Sequence, residues 1–437
     1  MRKRSWKPDL KNPVLWAMLF ATVVLLWTSA NMKWGDGRWN RLVKVDGTGY
    51  FSYLPAIFVY QDLTFSFHDS IARNPVHREF YFDYRKQVHG KTVNKYYAGT
   101  ALLMLPFYLT GHALNAITGQ SMDGFSVWVL IMTQIAAIFY TLLGLWWLHL
   151  SLKLYSANQR ITAIVLLTAL FGTNLFYYVS EEPAMSHAYS FAMVSLFIYT
   201  AKMYFIARIP KYFVWSMVAF GLIVLIRPVN ALVIISLPFI AGSYTAFKSG
   251  WRALIKKPNW LMFGLVLAVL ITGIQNVIYW LQTGHPYVFS YQGEGFNFSE
   301  IHFFDFLFSF KKGFFLYTPL AFVALGGLVF LYRQSKYAAW WLLGFLVLVI
   351  YILSSWWLWY YGGSFSSRVM VEYLPYFMVL LGLMLTHIKI PKTVIGLIIV
   401  LTLFCQLQTY QYRYGYLHYD SMTSEKYWDL MLNPLGK

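Results

Sequence analysis

The stretch Lys44-Val45-Asp46-Gly47-Thr48-Gly49-Tyr50-Phe51-Ser52-Tyr53-Leu54-Pro55 places one carboxylate ahead of two glycines and a run of aromatics. It lies just past the first apolar segment, within a long polar loop at residues 31–95. Gly47 and Gly49 would let the backbone bend tightly around Asp46. From Tyr50 to Tyr60 the chain reads as an aromatic-rich helix lying along lipid headgroups. Taken alone, the stretch is equally a solvated turn; its surroundings decide between the two.

Those surroundings are apolar. The 437 residues are 58% hydrophobic, 20% aromatic and only 12% charged, with a mean hydropathy of +0.50. This excludes an ordinary soluble domain and points to an all-α polytopic membrane protein. The Tyr and Trp excess suits membrane interfaces. A net charge of +18 is spread too thinly for a nucleic-acid surface. It fits anchoring loops against membrane lipids and cationic sites for phosphate. The single cysteine, Cys405, sits in an apolar run, so no disulfide framework or zinc cluster is indicated.

Met1 to Lys11 is basic and is followed by an apolar run from Pro13 to Ala30. Thr28-Ser29-Ala30 has weak cleavage-site character, but the hydrophobic pattern continues along the chain, which favours a retained first helix. Further candidate spans lie near 124–150, 160–179, 184–206, 212–227, 229–245, 259–281, 313–332, 338–358, 369–387 and 391–410, each near the roughly 20 residues that cross hydrocarbon. If the run 97–114 is re-entrant or interfacial, every inner loop carries at least two basic residues. Those residues are Lys153 with Arg160, Arg208 with Lys211, the group Lys248, Arg252, Lys256 and Lys257, Arg333 with Lys336, and Lys389 with Lys392. This gives about eleven crossings with the N-terminus inside. Residues 1–410 then form one transmembrane module whose loops 31–95 and 283–312 face out, followed by a short outer tail at 411–437.

The singular polar residues gather on that outer face. They are Asp46; Lys95, just before Tyr96-Tyr97-Ala98-Gly99-Thr100; Glu181, Glu182 and His187 in Ser180-Glu181-Glu182-Pro183-Ala184-Met185-Ser186-His187-Ala188; Arg227 before Pro228; and Arg368 after Gly362-Gly363-Ser364-Phe365-Ser366-Ser367. Arg227 has apolar sequence on both sides, and a charge at that depth costs about 3 kcal/mol even on mild insertion scales. Either it snorkels to headgroups, or a bound phosphate compensates it through paired guanidinium hydrogen bonds. Arg368 reads in the same way, beside a loop whose free N–H groups suit an anion. Lys95 is a third candidate. Glu181 and Glu182 could form a solvated turn, support a base or bind a divalent cation. No metal-ligand spacing is present.

In order and spacing these segments resemble the bacterial GT-C glycosyltransferases, the superfamily of protein O-mannosyltransferases and lipid A aminoarabinose transferases. The likeness rests on Asp46 to Tyr50, Lys95 to Phe107, Met185 to Phe191, Arg227-Pro228 and Gly362 to Arg368, and covers roughly residues 14 to 390. It implies a GT-C-like fold and transfer of a hexosyl or pentosyl unit, with inversion, from a polyprenyl-phosphate-sugar donor. The acceptor would be a glycan, lipid or protein on the periplasmic face of a bacterial inner membrane. It also implies Asp46 as general base, with Glu181, Glu182 or Asp83 contributing, because Gly47 stands where better-known members carry a second acidic residue. Lys95, Arg227 and Arg368 would hold the lipid phosphate. Tyr50, His187 and Trp359 are candidates for contact with sugar or acceptor. No cofactor is implied with certainty, and a divalent cation stays open.

Two other classes fit a polytopic basic chain: a transporter or flippase of polyprenyl-linked glycan, and a surface-polysaccharide ligase. Transporters often show inverted repeats, which are not evident here, and the ligase pattern places its largest outer loop late in the chain. An assembly subunit docking through the tail is a third reading.

Overall fold

The computed structural model describes residues 11–35, 37–74, 80–388 and 392–433; the basic segment before Lys11 and the position of Lys389 lie outside these. The chain is a helical bundle with one small antiparallel hairpin, Arg85–Val88 against Lys91–Asn94. Among the described residues, eight helices are long and apolar enough to cross a membrane: Pro13–Trp34, Gly99–Ile117, Val127–Leu154, His187–Ala207, Pro258–Thr283, Lys336–Ser354, Arg368–His387 and Lys392–Arg413. A ninth results if Pro228–Ala241 and Tyr244–Ile255, bent by 113°, count as one. The sequence suggested about eleven. Seven of those eleven are among the eight; three fold as the shorter apolar helices Gln159–Phe171, Pro210–Ile226 and Pro319–Gln334, one falls in the bent pair, and Gly99–Ile117 is the eighth. The protein is a multi-pass membrane protein.

Local signals explain several helix boundaries. Asn12 caps the first helix by accepting from the Val14 N–H at 3.0 Å, with Pro13 at the first helical position. Pro228, with no N–H to give, follows directly on the helix Pro210–Ile226, and Arg227 is left extended at its end. Large apolar side chains such as Trp16, Phe20, Val269, Leu270 and Leu403 remain exposed along the spans, as lipid-facing surfaces require.

Gly99–Ile117 packs along Val127–Leu154, with the Phe107 ring 5.4 Å from that of Phe139. Gly99 packs on the backbone of Leu225 and Ile226, next to Arg227. Asn115, near its other end, accepts from the Trp128 N–H at 3.3 Å. That point is the start of Val127–Leu154, whose Gln134 accepts from the Trp34 indole at 3.1 Å, where the first span finishes. By length and apolar character Gly99–Ile117 is itself able to cross a membrane, where the sequence reading had it re-entrant or interfacial. At the opposite end of the bundle, Gln334 meets His387 at 3.0 Å and Ser335 donates to the Gly242 carbonyl at 2.6 Å.

The opening stretch differs from its sequence reading. Asp46–Phe58 is a helix, but Gly47 through Ala56 are all buried, so it is enclosed by protein and does not lie along headgroups. The positive φ falls at Val45 (47°), not at the glycines. Gly49 serves close approach instead: an added Cβ would lie 2.9 Å from the Tyr84 Cβ and press into the Tyr96 ring. Gly49→Val should therefore destabilise the protein by about 1–3 kcal/mol through overpacking and displace Tyr96. Thermal unfolding in detergent checks this, and an unchanged midpoint would mean that the hairpin side yields freely.

Candidate active site

A cavity of about 420 Å³ opens among the first loop, the segment 289–296, the turn after Ile226 and the loop before Arg368. Asp46, Tyr50, Lys95, His187, Arg227 and Arg368 all line it. The fold therefore gathers six of the ten residues singled out in the sequence.

Asp46 is the first residue of its helix. Its Oδ2 accepts from Arg368 Nη2 at 2.7 Å, and the Tyr96 hydroxyl donates to the same carboxylate. Burial pushes the Asp46 carboxyl up, but Arg368, Tyr96 and Lys95 together outweigh it and hold the group below its usual range. It is therefore ionised at neutral pH. Tyr96 is fixed in turn from its backbone. Its N–H donates to Asn94 Oδ1 at 2.9 Å, its carbonyl accepts from the Tyr53 hydroxyl at 2.6 Å, and Asn94 also donates to the Gly49 carbonyl at 2.7 Å.

Lys95 pairs with Glu294 at 2.6 Å, and its carbonyl accepts from the Ser290 hydroxyl at 2.8 Å. These contacts tie the segment 284–302 down over the cavity. Backbone bonds from Asn297 to Ser355 (2.6 Å) and from Trp357 to Gly295 (2.9 Å) fasten its other side. Arg227 Nη1 donates to Glu372 Oε1 at 3.0 Å. The same carboxylate meets His187 Nδ1 at 3.2 Å and accepts from Asn230. Glu372 is fully buried and was missed in the sequence. Its signal was a lone carboxylate in the apolar run Val369-Met370-Val371-Glu372-Tyr373-Leu374. Lys312 was also missed: it is buried, donates to the Ser364 carbonyl, and so braces the loop leading to Arg368.

Four expectations fall away from the cavity. Glu181 pairs with Lys33 (2.6 Å) and Arg413 (3.2 Å), joining the end of the first span to the end of the last. Glu182 lies 3.8 Å from Lys44 and accepts from the Tyr177 hydroxyl at 3.1 Å. Neither lines the cavity, because adjacent basic residues from distant segments claim both carboxylates. Asp83 is bound by Arg85 at 2.9 Å. Trp359 stacks on His302 with ring centroids 5.5 Å apart and is not part of the lining. Among the described residues no group of three or more His, Cys, Asp and Glu comes together as a metal site.

The Asp46–Arg368 pair joins positions 322 residues apart. Because its carboxyl is held low, its contribution to stability is complete above about pH 4 and is lost as pH falls through the lower folded value. Arg368→Gln should cost about 3 kcal/mol by leaving a largely buried carboxylate unpaired, with partial recovery in Arg368→Lys. Unfolding midpoints measured from pH 7 to pH 3 check this; a flat difference between wild type and variant across that range would exclude the pair as its source.

No family model matches the chain, and no curated protein matches it. Among solved structures, it is similar to the archaeal oligosaccharyltransferase AglB from Archaeoglobus fulgidus in complex with an inhibitory peptide and a dolichol-phosphate. The identity is 11% and the TM-score 0.47, over 98% of this chain and 58% of that one. An Archaeoglobus fulgidus oligosaccharyltransferase in the apo form gives 13% identity and a TM-score of 0.47, over 97% and 58%. One in complex with Zn and sulfate gives 10% and 0.47, over 95% and 54%. The chain thus spans little more than half the length of these structures.

Proposed function

We propose that this protein is a GT-C-type integral-membrane glycosyltransferase. It would move a sugar from a polyprenyl-phosphate donor to an acceptor hydroxyl on the outer face of a bacterial inner membrane. The observation that carries the reading is one cavity lined by an ionised carboxylate, Asp46, together with three cations, Lys95, Arg227 and Arg368. These residues lie in the segments on which the GT-C resemblance rests. The basic inner-loop residues of the sequence reading support the orientation: Arg208, for example, bonds the Ala246 carbonyl at 2.7 Å, beside the bend at 242–244 and away from the cavity.

In this reaction Asp46 takes the proton from the acceptor hydroxyl as its oxygen bonds to the anomeric carbon. The bond from that carbon to the phosphate oxygen breaks from the opposite side, and its electron pair leaves with the polyprenyl phosphate. One displacement inverts the anomeric centre. The leaving phosphate gains charge, and fixed guanidinium and ammonium groups stabilise that charge in a site shielded from bulk water. Arg368 contacts Asp46 already, so it can link base and phosphate. Tyr50 offers a ring and hydroxyl to the sugar, and Trp356 and Tyr291, stacked edge to face at 5.9 Å, wall the same space.

Asp46→Asn should lower transfer by about 10²–10⁴-fold, the usual worth of a positioned base, while retaining bound donor; full activity in that variant would sink the assigned mechanism. The donor itself is read by mass spectrometry of lipids carried by detergent-purified protein. Wild type should retain a polyprenyl phosphate or its glycosylated form, and Arg227→Ala/Arg368→Ala should lose it. Bulk phospholipid alone in both samples would favour a transport or assembly role.

A further inference from the structure

Glu372 is a carboxylate at the centre of the bundle, and its oxygens are shared among three partners: Arg227, His187 and Asn230. Asn230 is itself fixed, its Oδ1 accepting from the Tyr373 hydroxyl at 3.0 Å. His187 lines the cavity and is 1% exposed. Its ring is confined on one side by Tyr178, centroid to centroid 4.7 Å. Its Nδ1 faces Glu372 at 3.2 Å, whereas its Nε2 is buried without a hydrogen-bond partner.

These facts constrain the proton on the ring. A carboxylate already paired with a guanidinium can only accept, so Nδ1 must carry the hydrogen that it shares with Glu372. A second ring proton would add positive charge directly beside Arg227. The neutral Nδ1–H form leaves Nε2 as a lone-pair acceptor. A buried acceptor without a partner costs free energy, and in a cavity that cost disappears when a bound molecule supplies a donor.

We propose that Glu372 is a positioning residue that fixes His187 as the Nδ1–H tautomer and Arg227 in the cavity together, so that Nε2 accepts a hydrogen bond from a hydroxyl of the bound acceptor. This rests on the functional reading above for the identity of the hydroxyl compound. It gives one buried carboxylate two outputs: a cation set for phosphate, and a neutral acceptor set for hydroxyl.

The tautomer is measured without substrate, by nitrogen-15 NMR of histidine-labelled protein at pH 7, with the His187 signals assigned by their loss in His187→Gln. The expected result is a neutral ring protonated at Nδ1, altered in Glu372→Gln. A ring protonated at Nε2, or at both nitrogens, would overturn the proposal whatever the protein transfers. Two variants then separate positioning from packing. His187→Asn keeps an N–H near the Nδ1 position for Glu372 but has no atom at Nε2; His187→Gln places an amide near Nε2. Loss of one such hydrogen bond should raise the KM for the hydroxyl substrate about tenfold in His187→Asn, with partial recovery in His187→Gln and donor affinity unchanged in both. Equal kinetics for wild type and His187→Asn would reduce His187 to a packing role. A wild-type protein with the Nδ1–H ring and no transferase activity would instead count against the functional reading alone.

Discussion

A charge taken out of water must be met by another, and in this protein that rule shapes the end of the bundle that holds the cavity. Asp46 meets Arg368, Arg227 meets Glu372, Lys95 meets Glu294 and Glu181 meets Lys33 and Arg413. Each contact joins segments far apart in sequence. Removing one partner from a buried pair is strongly destabilising because it strands the other. The first loop, the segment 284–302 and the turns after Ile226 and before Arg368 are thereby fixed to one another. The first three of these pairs border the cavity.

The pairing also explains how cations can be kept in an apolar setting without a ligand. Each cavity cation has an internal carboxylate as its partner, so the site is electrically balanced when empty. In the proposed reaction, the donor phosphate would compete for hydrogen bonds that the protein otherwise makes to itself. The three partners differ in how fully they are enclosed. Glu372 is enclosed by Arg227, His187 and Asn230, whereas Glu294 sits on a segment with a largely exposed surface. Asp46 stands between these, anchored by the helix that begins with it and by the Tyr96 hydroxyl.

Much of this was legible in the residues. An arginine between apolar stretches, another after a Gly-Ser loop and a lone aspartate in the first loop are costly or unusual enough to single out, and the cavity holds all three. The failures have a common cause. Glu181 and Glu182 are acidic, adjacent and on the correct side of the bundle, but whether a carboxylate faces a cavity or a neighbouring lysine depends on the rotation of its backbone, which composition does not encode. Glu372 was passed over because a single acid inside an apolar run looks like a flaw in a span until its partners are known. Trp359 was drawn from an aromatic run, Trp356 to Tyr361, in which neighbouring side chains point in different directions; Trp356, Trp357 and Tyr361 reach the cavity and Trp359 does not.

The sequence by itself determined the helical, membrane-spanning character, because hydropathy over some twenty residues is a local sum that any fold must respect. It also determined the residue types available for chemistry at the cavity, since buried charge in an apolar chain is rare. Only the tertiary structure decided which carboxylate serves which cation, and that Asp46–Phe58 is enclosed by protein rather than laid on lipid. Those outcomes depend on contacts between segments hundreds of residues apart, where a few ångströms and the direction of one side chain settle the partner.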